Sequence, residues 1–160
     1  MLPQINTILY ACDLLDNQSN EALGYVMQLA KINQASVVLM HALEPLTTHS
    51  SYLINNYIPE ETLERLRKET LQATTDKAET QLASFLEANK NDLDGISKPE
   101  IVITTGAPAD AIEKTVKSKN VDLIVMNSRT HSAIGQMIIG STANKVIHHS
   151  DVPVLVVPIK

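Results

Sequence analysis

Unbroken apolar runs too short to be helices recur along the chain: TILYAC (7 to 12), SVVLMHA (36 to 42), EIVITT (100 to 105), DLIVM (122 to 126) and PVLVV (153 to 157). They are rich in Val, Ile and Leu and do not alternate with polar residues, which is the pattern of strands covered on both faces. A parallel sheet is therefore expected. Parallel neighbours cannot be joined by a tight hairpin, so each pair needs a crossover of a dozen or more residues.

The intervening segments can supply those crossovers. Leu23, Val26, Met27 and Ala30 form a first apolar stripe at helical spacing; Leu63, Leu66, Ala78, Leu82, Phe85 and Leu86 mark one face of a long helix from about 60 to 89. Ile112 and Val116 do so for a shorter helix, and Ala143, Val146 and Ile147 for the last. The order β-α-β-α-β-α-β-α-β, with right-handed crossovers, implies an α/β three-layer architecture: an open five-stranded parallel sheet with helices on both faces. A chain of 160 residues fits one domain spanning 1–160, in which about two thirds of the unfolded surface can be buried.

Two connections exceed the usual length: residues 44 to 58, EPLTTHSSYLINNYI, and residues 127 to 139. Long loops in compact domains tend to be functional, and in an open parallel sheet both of these leave the carboxyl edge, where ligands bind at the strand-order reversal. Tyr52 and Tyr57 of the first loop are expected to pack on the second helix rather than cover a ligand.

Several functions are disfavoured. The net charge is −5, from 13 basic and 18 acidic side chains, with no basic cluster, so neither nucleic acid nor an acidic membrane is an expected partner. The opening MLPQINTILYACD does not read as a signal peptide, no run approaches a membrane span, and the single cysteine, Cys12, suits a reducing compartment; a cytoplasmic location is expected. Strand 1 ends in ACDLLDNQSN, without the G-x-G-x-x-G dinucleotide fingerprint, and no G-x-x-x-x-G-K-[ST] loop occurs. Strand 3 runs into TTGAP rather than to an acceptor Asp, which argues against a phospho-receiver. His41, inside an apolar strand, reads as a hydrogen-bonded core histidine, and Cys12 as a small buried apolar residue. His148 and His149 complement a helix carboxyl end and face different ways, so no metal site is expected.

One stretch carries chemistry of its own. Gly140, Ser141 and Thr142 precede the last helical stripe, where unpaired N–H groups and the positive end of the helix dipole attract an anion. The competing reading is that Ser141 or Thr142 is only a helix cap.

Taken in order, ILYACD, LMHALEP, TTGAPADAI, DLIVM and GSTANKVIHHSDVPVLVVP resemble the universal stress protein family over nearly the whole chain. The resemblance implies a Rossmann-like strand order 3-2-1-4-5 and a site for ATP or another adenine nucleotide, with or without magnesium. In nucleotide-binding members the loop after strand 4 follows G-x(2)-G-x(9)-G-[ST], which falls here on Asn127, Thr130, Gly140 and Ser141. Its second half matches and its first half does not. Asn tolerates the left-handed backbone that glycine would supply there, whereas a β-branched Thr130 does not, and its methyl could crowd a phosphate. Nearby Gly135 could add flexibility outside the motif position.

The resemblance further implies that Ala11 and Ala42 line the adenine pocket through backbone groups, that Met126 belongs to the nucleotide site, and that Asp13 contacts the ribose or a metal-bound water. Asp13 reads equally as a turn cap. Arg129 could pair a terminal phosphate or simply be solvated; His131 is similar. No catalytic residue is identified, so hydrolysis is expected to be slow or absent. The final strand, with prolines at its ends, would lie at a sheet edge, and the resemblance implies a homodimer through Val154 to Val157, local protection by Lys160 and helix packing being the alternative. Two functions stay open: a nucleotide-binding stress-response sensor or regulator, and a dimeric scaffold that has lost nucleotide affinity and works through protein contacts. A nucleotide hydrolase is a weaker third.

Overall fold

The computed structural model describes residues 1–12, 19–43, 57–131 and 136–159, with backbone alone at 19, 129–131 and 136–138. Its strands are β1 (Thr7–Ala11), β2 (Ser36–Leu43), β3 (Glu100–Thr105), β4 (Leu123–His131), β5 (Gln136–Ile138) and β6 (Val154–Ile159). Five of them form a parallel sheet in the order β3-β2-β1-β4-β6, and the short β5 pairs antiparallel with the end of β4. This is the expected order 3-2-1-4-5, its fifth member being β6.

The helices are α1 (Ser19–Asn33), α2 (Glu60–Ala88), α3 (Pro108–Lys119) and α4 (Ser141–His149). Alternation along each strand sends side chains to two separate cores. Ile8, Tyr10, Leu39 and Val125 pack with Leu23, Val26 and Met27 of α1 and Ala78 and Leu82 of α2. Leu9, Val38, Met40, Ile124 and Met126 pack on the other face with Ala111 and Ile112 of α3 and Ala143 and Val146 of α4. Ile8, Leu9 and Tyr10 are all within 1% of full burial, which is why β1 reads as a continuous apolar run. Each such side chain stabilises the fold by roughly 1.5–3 kcal/mol relative to exposure.

Two helix-to-strand turns use the same device. Gln34 after α1 and Asn120 after α3 take left-handed backbone (φ 56° and 51°), which stops the helix and sends the chain into β2 and β4. At the other edge Gly106 adopts φ 136°, accessible only to glycine, and its N–H donates to the Leu43 carbonyl at 3.0 Å; Pro108 then opens α3 at its first position.

Four expectations are corrected. Residues 127 to 139 are not one loop: β4 continues to His131, and residues 136–138 form β5. Leu66 is 45% exposed rather than on the buried face of α2, because a 29-residue helix of about 43 Å overhangs strands of about 20 Å. Ile147 is 40% exposed, since α4 buries only the narrow stripe of Ala143 and Val146. Tyr57 is 84% exposed and does not pack on α2. Tyr52, with the rest of 44–56, lies outside the described residues, as do Gly135 and Lys160.

Candidate functional site

The strand order reverses between β1 and β4. β1 is in register with β4 only as far as the pair Ala11↔Met126. The Cys12 N–H donates to the Met40 carbonyl of β2 at 3.0 Å, the ordinary alternation of a central parallel strand, and continues the ladder with β2 by one residue. The reversal itself marks the crevice position at the carboxyl end of the sheet, where doubly wound folds take ligands. Asn127 is the first residue of β4 beyond that last pair.

On the α3/α4 face this end is lined by small side chains. Ala11 and Ala42 are partly buried against the core that holds Met126, Ala143 and Val146. Strand and helix thus bring Ala11, Ala42 and Met126 to the same side as the amino end of α4. Gly140 is the residue that caps α4, with φ −61° and ψ 161°, and as a glycine it offers no side-chain cap. Its carbonyl accepts from Asn144 N–H at 2.9 Å, which starts the helix. Ser141 and Thr142 fall inside the helix and do not cap it, which corrects that alternative. The first-turn N–H groups point outward without an intrahelical acceptor, as at any helix start. A Cβ built on Gly140 would meet nothing within 4 Å among the described residues, and Gly140 and Ser141 are exposed. Because φ at Gly140 is negative, glycine is not needed there for conformation; it leaves the helix end open to close approach.

The first half of the predicted motif takes an unexpected form. Asn127 and Thr130 are extended strand residues, and the non-glycine positive φ values among the described residues are those of Gln34 and Asn120. The left-handed backbone anticipated at Asn127 is absent, and the strain anticipated at Thr130 does not arise. Arg129, Thr130 and His131 pair with Ile138, Met137 and Gln136, which directs their backbone polar groups toward a strand partner rather than toward a common centre. The Asn127 side chain follows the parity of Val125 onto the α1/α2 face, opposite α4. There its Nδ2 donates to the Tyr10 hydroxyl at 2.8 Å, and the hydroxyl lies 3.1 Å from Oδ1, to which it can donate. Asp13 lies outside the described residues.

Two buried hydroxyls stand near this edge on the α3/α4 side. Ser128 is fully buried, Thr104 is the penultimate residue of β3, and neither Oγ has a hydrogen-bond partner among the described residues. Sequence reading missed both, and it missed Tyr10; Ser128 stands in the polar NSRTH half of β4, which gives no apolar pattern to mark it as buried. His41 is half-buried, and its Nδ1 lies 3.0 Å from the Cys12 carbonyl. A carbonyl only accepts, so Nδ1 carries a proton, consistent with a structural histidine that fixes the end of β1. Cys12 is buried. His148 and His149 are exposed at the end of α4. Among the described residues no three His, Cys, Asp or Glu side chains cluster to hold a metal, and no helix is long and apolar enough to cross a membrane.

A separate hollow of about 450 Å³ lies between α1, α2 and the sheet, lined by Tyr10, Leu39, Leu82, Phe85 and neighbours. None of the described sequence-predicted site residues borders it. It sits on the opposite face from the amino end of α4.

Fold, crevice and open helix end together define a doubly wound α/β protein with a candidate anion site at the strand-order reversal. Residues 4–158 match the model of the universal stress protein family, and the chain belongs to that family. Universal stress protein YxiE of Bacillus subtilis is 32% identical over 157 residues, covering 95% of this chain and 98% of that protein. Among solved structures, MJ0577 of Methanocaldococcus jannaschii superposes with a TM-score of 0.71 at 24% identity, over 99% of both chains. A universal stress protein in complex with cAMP gives 0.56 at 19% identity, covering 99% of this chain and 100% of that one. The Archaeoglobus fulgidus protein in complex with dAMP gives 0.52 at 18%, covering 94% and 96%.

Proposed function

We propose that this protein binds an adenine nucleotide across the carboxyl ends of β1 and β4 and acts as a stress-response sensor or regulator. Base and ribose would lie over Ala11, Ala42 and Met126, with Asp13 near the ribose, and the phosphate would face Gly140, Ser141 and Thr142 at the start of α4. Arg129, Thr130 and the Asn127 backbone complete the proposed set. The observation that carries this reading is the amino end of α4, which starts at a glycine that offers no side-chain cap and has empty space, among the described residues, where a Cβ would stand. Family members in complex with cAMP and dAMP support the ligand class. ATP with or without magnesium fits the same chemistry. No general base or cation clamp is assigned, so hydrolysis is slow or absent.

The remaining elements of the proposal concern assembly and place. The chain acts as one domain in the cytoplasm, without nucleic-acid or membrane partners. It pairs as a homodimer through Val154 to Val157 of β6, an edge strand whose Leu155 is 38% exposed and whose Pro158 suits an edge position.

The test is calorimetry with ATP, ADP, AMP and cAMP, with and without magnesium, on the wild type and Gly140→Glu. Micromolar to millimolar binding is expected in the wild type. The glutamate, aimed where a phosphate would lie, should weaken it at least tenfold with little change in Tm. Absence of heat and of thermal shift at millimolar nucleotide would remove the proposal. The scaffold reading draws support from the strand pairing of residues 129–131. It requires that wild type not bind and that Thr130→Gly create binding, whereas the sensor reading requires wild-type binding that Thr130→Gly changes only modestly.

A further inference from the structure

Exposed apolar side chains gather around the edge strand β6. Tyr25 and Ile32 of α1 are 56% and 68% exposed, beside the half-exposed Leu155 of β6 and Ile147 of α4. The side of α1 that faces α2 is marked by Asn20, which lines the hollow between the two helices, and by Lys31, whose Nζ donates to the Asp92 carbonyl beyond the end of α2 at 2.7 Å. Tyr25, Leu29 and Ile32 recur at i, i+4 and i+7 on the flank turned away from α2. Because α1 also packs against β6, that flank overlooks the sheet edge. Leu155 shares the strand parity of Val157, a member of the α1/α2 core, and so lies on the same face as the stripe. On the other face, Glu113 of α3 feels the charge of His149 of α4 besides that of its partner Lys117, which marks the side of α4 turned to α3. Ile147 lies on the opposite flank, again toward β6.

We propose that β6 meets a second copy of this chain as the middle layer of a three-layer interface, in which the Tyr25, Leu29 and Ile32 flank of α1 packs on its own counterpart and Ile147 closes the other face. The inference rests on the homodimer reading above and extends it from one strand to both helix layers. A two-fold axis that continues a sheet antiparallel across its edge stands perpendicular to the sheet, so each face meets its own copy and α1 runs antiparallel to its counterpart. The strand alone is too small for a stable pair. Six residues at about 3.3 Å each, in a layer about 10 Å thick, cover about 200 Å², against about 800 Å² per partner in a stable interface. A helix layer about 10 Å thick on each face roughly triples that footprint. The net charge of −5 opposes self-association, but the α1 flank is charged only at its start, by Glu21, and antiparallel helices hold the two Glu21 carboxylates at opposite ends.

The experiment is sedimentation equilibrium on the full chain as wild type, Tyr25→Glu, Ile32→Glu, Leu155→Arg and Leu66→Glu, with circular dichroism to confirm that each is folded. Tyr25 and Ile32 are exposed, so their replacement leaves the core untouched. Leu66 is an exposed leucine of α2, which packs on β3 at the far edge of the sheet, and controls for added charge. The expected result is a wild-type dimer at micromolar concentration, dissociation constants raised at least about tenfold by Tyr25→Glu, Ile32→Glu and Leu155→Arg, and no change in Leu66→Glu. A dimer that Leu155→Arg dissociates but both α1 variants leave unchanged would overturn the three-layer interface while the homodimer stands. An equal loss in Leu66→Glu would overturn it too, by showing general charge repulsion instead of contact. A wild type that stays monomeric removes both this inference and the homodimer.

Discussion

The two edges of the sheet are built on opposite principles. At the amino edge the backbone is closed by paired groups: the Asp122 carboxylate accepts from the N–H groups of Asn6 and Thr7 at 2.8 and 2.9 Å, and Asp122 N–H donates back to the Thr7 carbonyl at 2.9 Å. The Ser36 N–H reaches the Asn6 carbonyl at 2.8 Å, and two of the helices that end there, α1 and α3, close through a left-handed residue. At the carboxyl edge the β1–β4 pairing ends at Ala11 and Met126, α4 starts at a glycine that offers no side-chain cap, and the Ser128 and Thr104 hydroxyls are buried without partners among the described residues. Satisfied polar groups make an edge stable and inert. Unsatisfied ones cost stability and are tolerated where another molecule can use the space.

The comparison can be broken most forcefully at its stable side. Asp122→Ala removes a carboxylate that bridges β1 to β4 and should cost about 2–3 kcal/mol, since hydrogen bonds to charged groups are worth roughly 1.5–3 kcal/mol each and two in one place are not additive. Chemical denaturation should show an unchanged m-value and a lower midpoint, and nucleotide affinity should not move. A loss of affinity equal to the loss of stability would mean that the edges are not independent.

A smaller effect of opposite sign is expected at the other edge. Ser128→Ala removes a fully buried hydroxyl with no described partner, so the variant should be unchanged or more stable by up to about 1 kcal/mol. A clear destabilisation in the same denaturation assay would show that the hydroxyl is in fact satisfied, and the contrast would weaken.

The smallest effect concerns pH. On the exposed side of α3 the Lys117 ammonium donates to the Glu113 carboxylate at 2.7 Å; this bond, then the charge of Lys117, holds the Glu113 carboxyl below the usual carboxylate range. The same bond and charge raise Lys117. A lowered acid contributes stability above its unfolded range and loses it as pH falls through the folded value; a raised lysine contributes below its unfolded range and loses it as pH rises through the folded value. Glu113→Gln should therefore be marginally less stable than wild type at neutral pH, with the difference vanishing in acid below the carboxylate range. Thermal melts across pH check this, and because the pair is fully solvated the effect should shrink further in high salt.

Much of the carboxyl edge was legible before any coordinates. Gly140 at the start of a helix, Gly106 before Pro108, and Ala11 and Ala42 at strand ends are local features that follow from residue type and position in a periodic pattern. The strand character of Asn127 to His131 was not, because a polar NSRTH segment has no apolar period and its extended state comes from pairing with Gln136 to Ile138 and with β6. Leu66 and Ile147 looked like core residues for a related reason. A helical stripe shows which face is apolar but not how far the sheet beneath it extends.

By itself the sequence determined the layers: continuous Val, Ile and Leu runs demand strands covered on both sides, and stripes of 3.6-residue period demand helices to cover them. Those signals are local, so they survive without knowledge of the fold. Only tertiary structure decided that Asn127 turns toward Tyr10 and that Asp122 fastens Asn6 and Thr7. Each of those contacts spans more than a hundred residues and depends on strand register, where a slip of one residue would move every side chain to the opposite face of the sheet.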